Sequence, residues 1–193
     1  MIYVLDSFVA TNSHSQILSK IIRDHTSEII ELVELPSLTS SVQLSKVISN
    51  LIHKIKPNDV VLAAWGVRGD HHIDELFSAL AQNCFVIVAA GNSNEPIENY
   101  SPTRADNVFC IGALNKNGVK ASHSNYSEFK DLTWICGTNY YVDGVPHSGT
   151  SISAAIYAGM LAESIRINNT DYLFTLIDNY HKRVYAEVNH KIL

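Results

Sequence analysis

At 193 residues, 46% of them hydrophobic, the chain is long enough for one globular domain (1–193) with a sizeable core. A net charge of -5 with no basic stripe argues against nucleic acid as a partner. No apolar run approaches membrane-spanning length, and "MIYVLDSFVA" lacks the basic lead and small-residue cleavage site of a secretion signal, so a soluble cytoplasmic protein with no membrane partner is expected.

In chain order, "IYVL" reads as a buried strand, and "HSQILSKIIRD" places Ile17, Leu18, Ile21 and Ile22 on one helix face. "EIIELVEL" is the next strand, and "TSSVQLSKVISNLIHKI" a helix that opens on Thr and Ser cap candidates, Thr39 and Ser40 among them. "DVVLAAW" is a third strand, "HIDELFSALAQN" a third helix and "CFVIVAA" a fourth strand ending at Gly91. The later half is less regular: "NVFCIGAL" and "DLTWIC" read as strands, and 151–166 and 170–184 as helices. Strand and helix alternation predicts an α/β fold of three layers with a mostly parallel sheet. No linker or low-complexity stretch divides the chain. Cys84, Cys110 and Cys136 sit in apolar stretches, as buried unpaired thiols do.

Functional groups of such sheets gather beyond the carboxyl ends of the strands. That rule selects Asp6, His14, Asn92 and Ser151. A serine hydroxyl becomes a nucleophile when a base takes its proton, and the base works best when a carboxylate fixes its tautomer and stabilises its charge. Asp6, His14 and Ser151 supply those three groups. Negative charge building on an attacked carbonyl oxygen needs positioned donors, which the Asn92 amide and the Ser151 N–H can provide.

These residues resemble the subtilisin-like serine proteases, the subtilases. "VLDS" resembles the family's strand ending in the catalytic Asp, which implies that role for Asp6. "NSHSQILSKII" resembles its His-Gly-Thr-His-Val helix start and implies His14 as base. "VIVAAGN" is similar to its oxyanion segment, with Asn92 as donor, and "SGTSISAAIYAG" resembles Gly-Thr-Ser-Met-Ala, with Ser151 as nucleophile. "NVFCIGALNKNGVKASHSNYS" looks like the family's Val-x-x-Val-Gly-Ala strand and Ser-rich turn. The resemblance implies a subtilisin-like fold and a cleft for a peptide or protein substrate, with Ala64, Trp65 and Gly66 on one wall and Ala89, Ala90 and Gly91 on the other. Trp65, bulkier than the family's usual Leu, is expected to narrow it.

Several positions depart from the pattern. Most members separate the Asp and His by several tens of residues bearing strands and a calcium loop; that insertion is missing, so no structural calcium is expected. Ser15 replaces the Gly after the base, Ile17 the second His, and Ala155 the Pro four residues past the nucleophile, which restores a backbone N–H. No cofactor is needed for the implied chemistry.

Singly, each residue has a plainer reading: Ser151 a helix cap, Asp6 and Asn92 turn residues, His14 a surface residue. The rival cluster is "RGDHHIDE", where Asp70, His71, His72, Asp74 and Glu75 could suggest a metal. Adjacent residues at a helix start diverge, so a solvated, acid-capped start is expected and no metal site. His25, His53, His123, His147, His181 and His190 read as surface or supporting groups, and Tyr172, Leu173, Leu176 and Tyr180 as core. The expected function is a serine endopeptidase acting through an acyl-enzyme. The alternatives are a peptide ligase or macrocyclase, with Ala155 as its support, and an inactive peptide-binding module.

Overall fold

The chain, described by a computed structural model over residues 1–6, 13–35 and 41–189, opens on β1 (Ile2–Asp6), whose five residues are all buried. It continues through α1 (His14–Arg23), β2 (Ile30–Glu34), α2 (Ser41–Lys54), β3 (Val60–Ala63), β4 (Val67–Arg68) and α3 (His71–Ala81). There follow β5 (Phe85–Ala89), β6 (Tyr100–Ser101), β7 (Phe109–Leu114), β8 (Thr133–Cys136), β9 (Tyr140–Val142), β10 (Val145–His147), α4 (Thr150–Arg166) and α5 (Asp171–Asn189). Thr39, Ser40 and His190 lie outside the described residues.

Six strands make one parallel sheet in the order β2-β1-β3-β5-β7-β8. Period-two alternation sends Ile2, Val4, Ile87 and Ala89 into one core with α1, α4 and α5. Tyr3, Leu5, Val86 and Val88 point into the other, beneath α2 and α3. Two helical layers therefore enclose a sheet, the expected three-layer α/β arrangement. From β1 the chain turns outward to β2 and then returns to place β3 on the other flank of β1. The strand order thus reverses direction at β1, which opens a crevice beyond the carboxyl ends of β1 and β3.

α4 is nearly all buried, and its Ala154, Ala155, Ala158, Gly159 and Ala162 let it lie close to its neighbours. A Cβ on Gly159 would stand 2.9 Å from the Ile22 carbonyl oxygen of α1, so only glycine permits this approach without a shift. Leu173 and Tyr180 of α5 are buried against this core and Tyr172 and Leu176 are half-buried, in keeping with the core stripe expected there. All three cysteines are buried and outside any disulfide. No helix among the described residues is long and apolar enough to cross a membrane.

The structure adds two short ladders that periodicity did not predict, β4 with β6 and β9 with β10. The β9–β10 turn is Asp143–Gly144, both with positive φ, the signature of a tight hairpin in an "Asp-Gly" dipeptide. The strand expected through Trp65 stops at Ala63, because Ala64–Gly66 leave the sheet for the crevice.

Candidate active site

Asp6 ends β1 and is only 6% exposed, which fixes its carboxylate at the edge of the crevice. His14 is the first residue of α1, and its Nδ1 lies 2.7 Å from Asp6 Oδ2. A carboxylate can only accept, so the pairing places the ring proton on Nδ1 and leaves the Nε2 lone pair free to take another. The imidazole is 42% exposed.

Ser151 is the second residue of α4, half-exposed where the rest of that helix sinks into the core. Gly149 precedes the helix with φ +148°, a conformation that favours glycine. Of the donors that a helix start leaves over, the Thr150 N–H goes to Asn92 Oδ1 at 2.9 Å. Those of Ile152 and Ser153 go to the Gly149 carbonyl. The Ser151 N–H is the remaining donor of the turn. With its oxygen engaged by Thr150, Asn92 keeps its NH2 group for the cavity it lines. Asn92 Nδ2 and Ser151 Oγ both lie within 3.5 Å of the point where a Gly149 Cβ would stand, so they are no further apart than twice that distance.

α1 and α4 carry the two halves. Both run back along the sheet from the carboxyl ends of the strands, and they meet at Ile22 and Gly159. Each contact residue is eight positions past its helix's functional residue, His14 or Ser151, a rise of about 12 Å in each helix. His14 and Ser151 thus stand at the starts of two helices that pack against each other.

A cavity of about 210 Å³ opens beside Ser151 and Asn92. Ala64, Trp65, Gly66, Ala89, Ala90 and Gly91, all six expected wall residues, line it. Trp65 packs edge-to-face on Phe77 at 5.7 Å, and its buried Nε1–H finds no partner among the described residues.

Three supporting residues escaped the sequence reading. Thr150 Oγ1 accepts from the Gly91 N–H at 3.0 Å, a second tie between the start of α4 and the turn after β5. Asn125, fully buried, donates to the Ala90 carbonyl and accepts from Ser93 and Glu95, shaping the same turn. It lies within "ASHSNYS", where a buried amide among small residues was the available signal. The third, Tyr100, lines the cavity.

Elsewhere Asp70 caps α3 through the His72 and Ile73 N–H groups, as expected. Asp74 corrects the expectation of a solvated start: it is buried and takes Arg104 Nε at 2.8 Å. No group of three or more metal-ligating side chains gathers among the described residues. His25 also departs from a surface role, with Nε2 buried and its ring edge-on to Tyr180 at 5.9 Å. His181 accepts from the Cys136 N–H at 3.3 Å.

The fold resembles solved subtilases. A cold-adapted subtilisin-like serine proteinase superposes with a TM-score of 0.69 at 19% identity, over 92% of this chain and 79% of that one. The self-cleaved protease domain of PatA gives 0.70 at 17% identity, over 88% and 82%. In sequence, a subtilisin-like serine protease of Davidiella tassiana is 34% identical over 111 residues, 52% of this chain and 21% of that protein. Proteinase R of Parengyodontium album is 31% identical over 118 residues, 55% and 29%. The matches thus span less than a third of the length of these curated relatives. Residues 29–176 match the model of the subtilase family, a stretch that contains Asn92 and Ser151 and begins after Asp6 and His14. With that match over most of its length and the fold that accompanies it, the chain belongs to the subtilase family.

Proposed function

We propose that this chain is a serine endopeptidase in which Asp6, His14 and Ser151 act together on a peptide or protein substrate inside the cell. His14 Nε2 takes the proton of Ser151 Oγ as that oxygen attacks the scissile carbonyl. The resulting oxyanion is held by the Asn92 amide and the Ser151 N–H. His14 then gives its proton to the leaving amine, and an ester on Ser151 remains. Water attacks that ester by the same proton route and releases the acid. Asp6 keeps the imidazole oriented and stabilises its positive charge without itself taking the proton. The observation that carries this reading is the 2.7 Å Asp6–His14 contact at the start of α1, a helix that packs against the one bearing Ser151.

A fluorophosphonate probe tests it: the wild-type protein should be labelled and Ser151→Ala should not. An unlabelled wild type would leave a peptide-binding module instead. A second reading sends the acyl-enzyme to an amine rather than water. Ala155 supports it: it is fully buried in α4, at the position where the family motif that it resembles has proline. The fold is also shared with structures titled patellamide and prenylagaramide maturation proteases. Product masses recorded with an added amine nucleophile distinguish hydrolysis from transfer.

A further inference from the structure

The segment that brings Tyr100 and Thr103 to the cavity is fastened by one charged side chain from another turn. That turn, residues 126–130, is anchored to the start of the segment. The Ile97 N–H donates to the Tyr126 carbonyl at 2.8 Å, and the Tyr126 N–H to the Glu95 carbonyl at 3.1 Å. The Ser127 hydroxyl donates to Glu98 and accepts from the Lys130 N–H at 2.8 Å. From there Lys130 reaches the far end of the segment, where its Nζ donates to the Thr103 carbonyl at 3.0 Å and to the Ala105 carbonyl at 2.8 Å. Thr103 and Ala105 are each 1% exposed, and no other donor reaches either carbonyl among the described residues. Nor does a carboxylate pair with the ammonium among them. Two carbonyl dipoles thus share one positive charge, in bonds stronger than neutral ones. Without it both acceptors would stand unpaired, at a cost in free energy. Thr103 passes the tie on, its hydroxyl donating to the Ile97 carbonyl at 2.7 Å and the Tyr100 carbonyl at 2.9 Å.

We propose that Lys130 is a positioning residue that serves as a built-in cation: its ammonium occupies an oxygen-lined site that a free alkylammonium ion could fill, and it holds residues 100–105 in place as a wall of the cavity. The effect on turnover rests on reading the chain as the proposed peptidase. The cation site itself is measured without turnover.

The atoms that Lys130→Ala removes beyond Cβ are those of n-propylammonium, so that ion is added to the variant, with tetramethylammonium, which has no N–H to donate, as the control at equal ionic strength. Lys130→Ala should melt below the wild type, and propylammonium should raise its Tm by about 3 °C or more over the control. Lys130→Met, which keeps the stem and loses the charge, should also melt below the wild type, and neither it nor the wild type should respond to propylammonium. On a peptide substrate Lys130→Ala should raise KM by about ten-fold with kcat changed by less than about three-fold, because Asp6, His14, Asn92 and Ser151 lie outside the loosened segment. Propylammonium should recover most of that loss. If Lys130→Ala does not fold, Lys130→Met decides, and a match to the wild type in Tm and KM overturns the proposal. So does an alanine variant as stable as the wild type, propylammonium no more effective than tetramethylammonium, or a loss confined to kcat. Rescue of melting in a protein whose wild type escapes fluorophosphonate would uphold the built-in cation and defeat the peptidase reading. Labelling without rescue would do the reverse.

Discussion

Thr150 ties the loop before α4 to the turn after β5 twice, through its N–H to Asn92 and its hydroxyl from Gly91. Replacing it with valine keeps the shape and removes the second tie, stranding a backbone N–H at a cost of about 1–3 kcal/mol. Thr150→Val should therefore lower kcat by about ten-fold with KM little changed, because the donors at the cavity mouth loosen while the walls stay. Steady-state kinetics on a peptide substrate measures both. In the proposed mechanism Asn92→Ala removes an oxyanion donor, and it should cost about 100 to 1,000-fold in kcat in the same assay. The four residues of the proposed site were selected because each sits in a local signature, such as the Gly-Thr-Ser at a helix start or the Gly-Asn after a strand. Asn125 and Tyr100 were not legible in that way. Their roles arise from segments brought together by the fold, and neither neighbourhood announces the contact.

Among elements, the seam between α1 and α4 joins the helix that opens on His14 to the helix that carries Ser151. A methyl group on Gly159 would meet the His25 Cβ at 2.7 Å and the Ile22 backbone oxygen at 2.9 Å. Neither can swing away as the end of a flexible side chain can. Gly159→Ala should cost about 1–3 kcal/mol, lowering Tm by roughly 2–12 °C for a domain of this size. Because the repacking displaces α1, activity should fall by more than stability alone explains, as seen by comparing kcat with the folded fraction at one temperature. The helices themselves were readable from their apolar spacing. The β9–β10 hairpin was carried by "DG", a two-residue signal outweighed by the absence of alternation in three-residue strands. The β4–β6 ladder has no local signal at all, since two residues cannot establish a period.

For the molecule as a whole, histidines buried in their neutral form make stability depend on pH. Burial lowers His25 from its ordinary 6.5 to about 4, and burial also lowers His123 and His181. A histidine whose folded value is depressed binds its proton more readily when unfolded. Its contribution is thus fully present above pH 6.5 and is lost as pH falls through 4. For His25 the full loss is about 3 kcal/mol. Urea melts at pH 7, 5 and 4 should show stability falling across that window, and His25→Phe should flatten the fall. The fold as a layered α/β protein followed from seven alternating elements in the first half. What that pattern left open was strand order, since periodicity does not say on which flank of β1 the third strand lands.

The outer margin of the sheet has a colloidal consequence. Among the described residues β2 has a neighbour only in β1, while Ile29 and Leu32 are 67% and 40% exposed beside it. Unpaired backbone along such a border can template another molecule, and Glu34 and the Glu31–Lys54 ion pair place charge along it. Removing both carboxylates, as Glu31→Val/Glu34→Val, should make concentrated samples scatter light within hours while the parent stays clear.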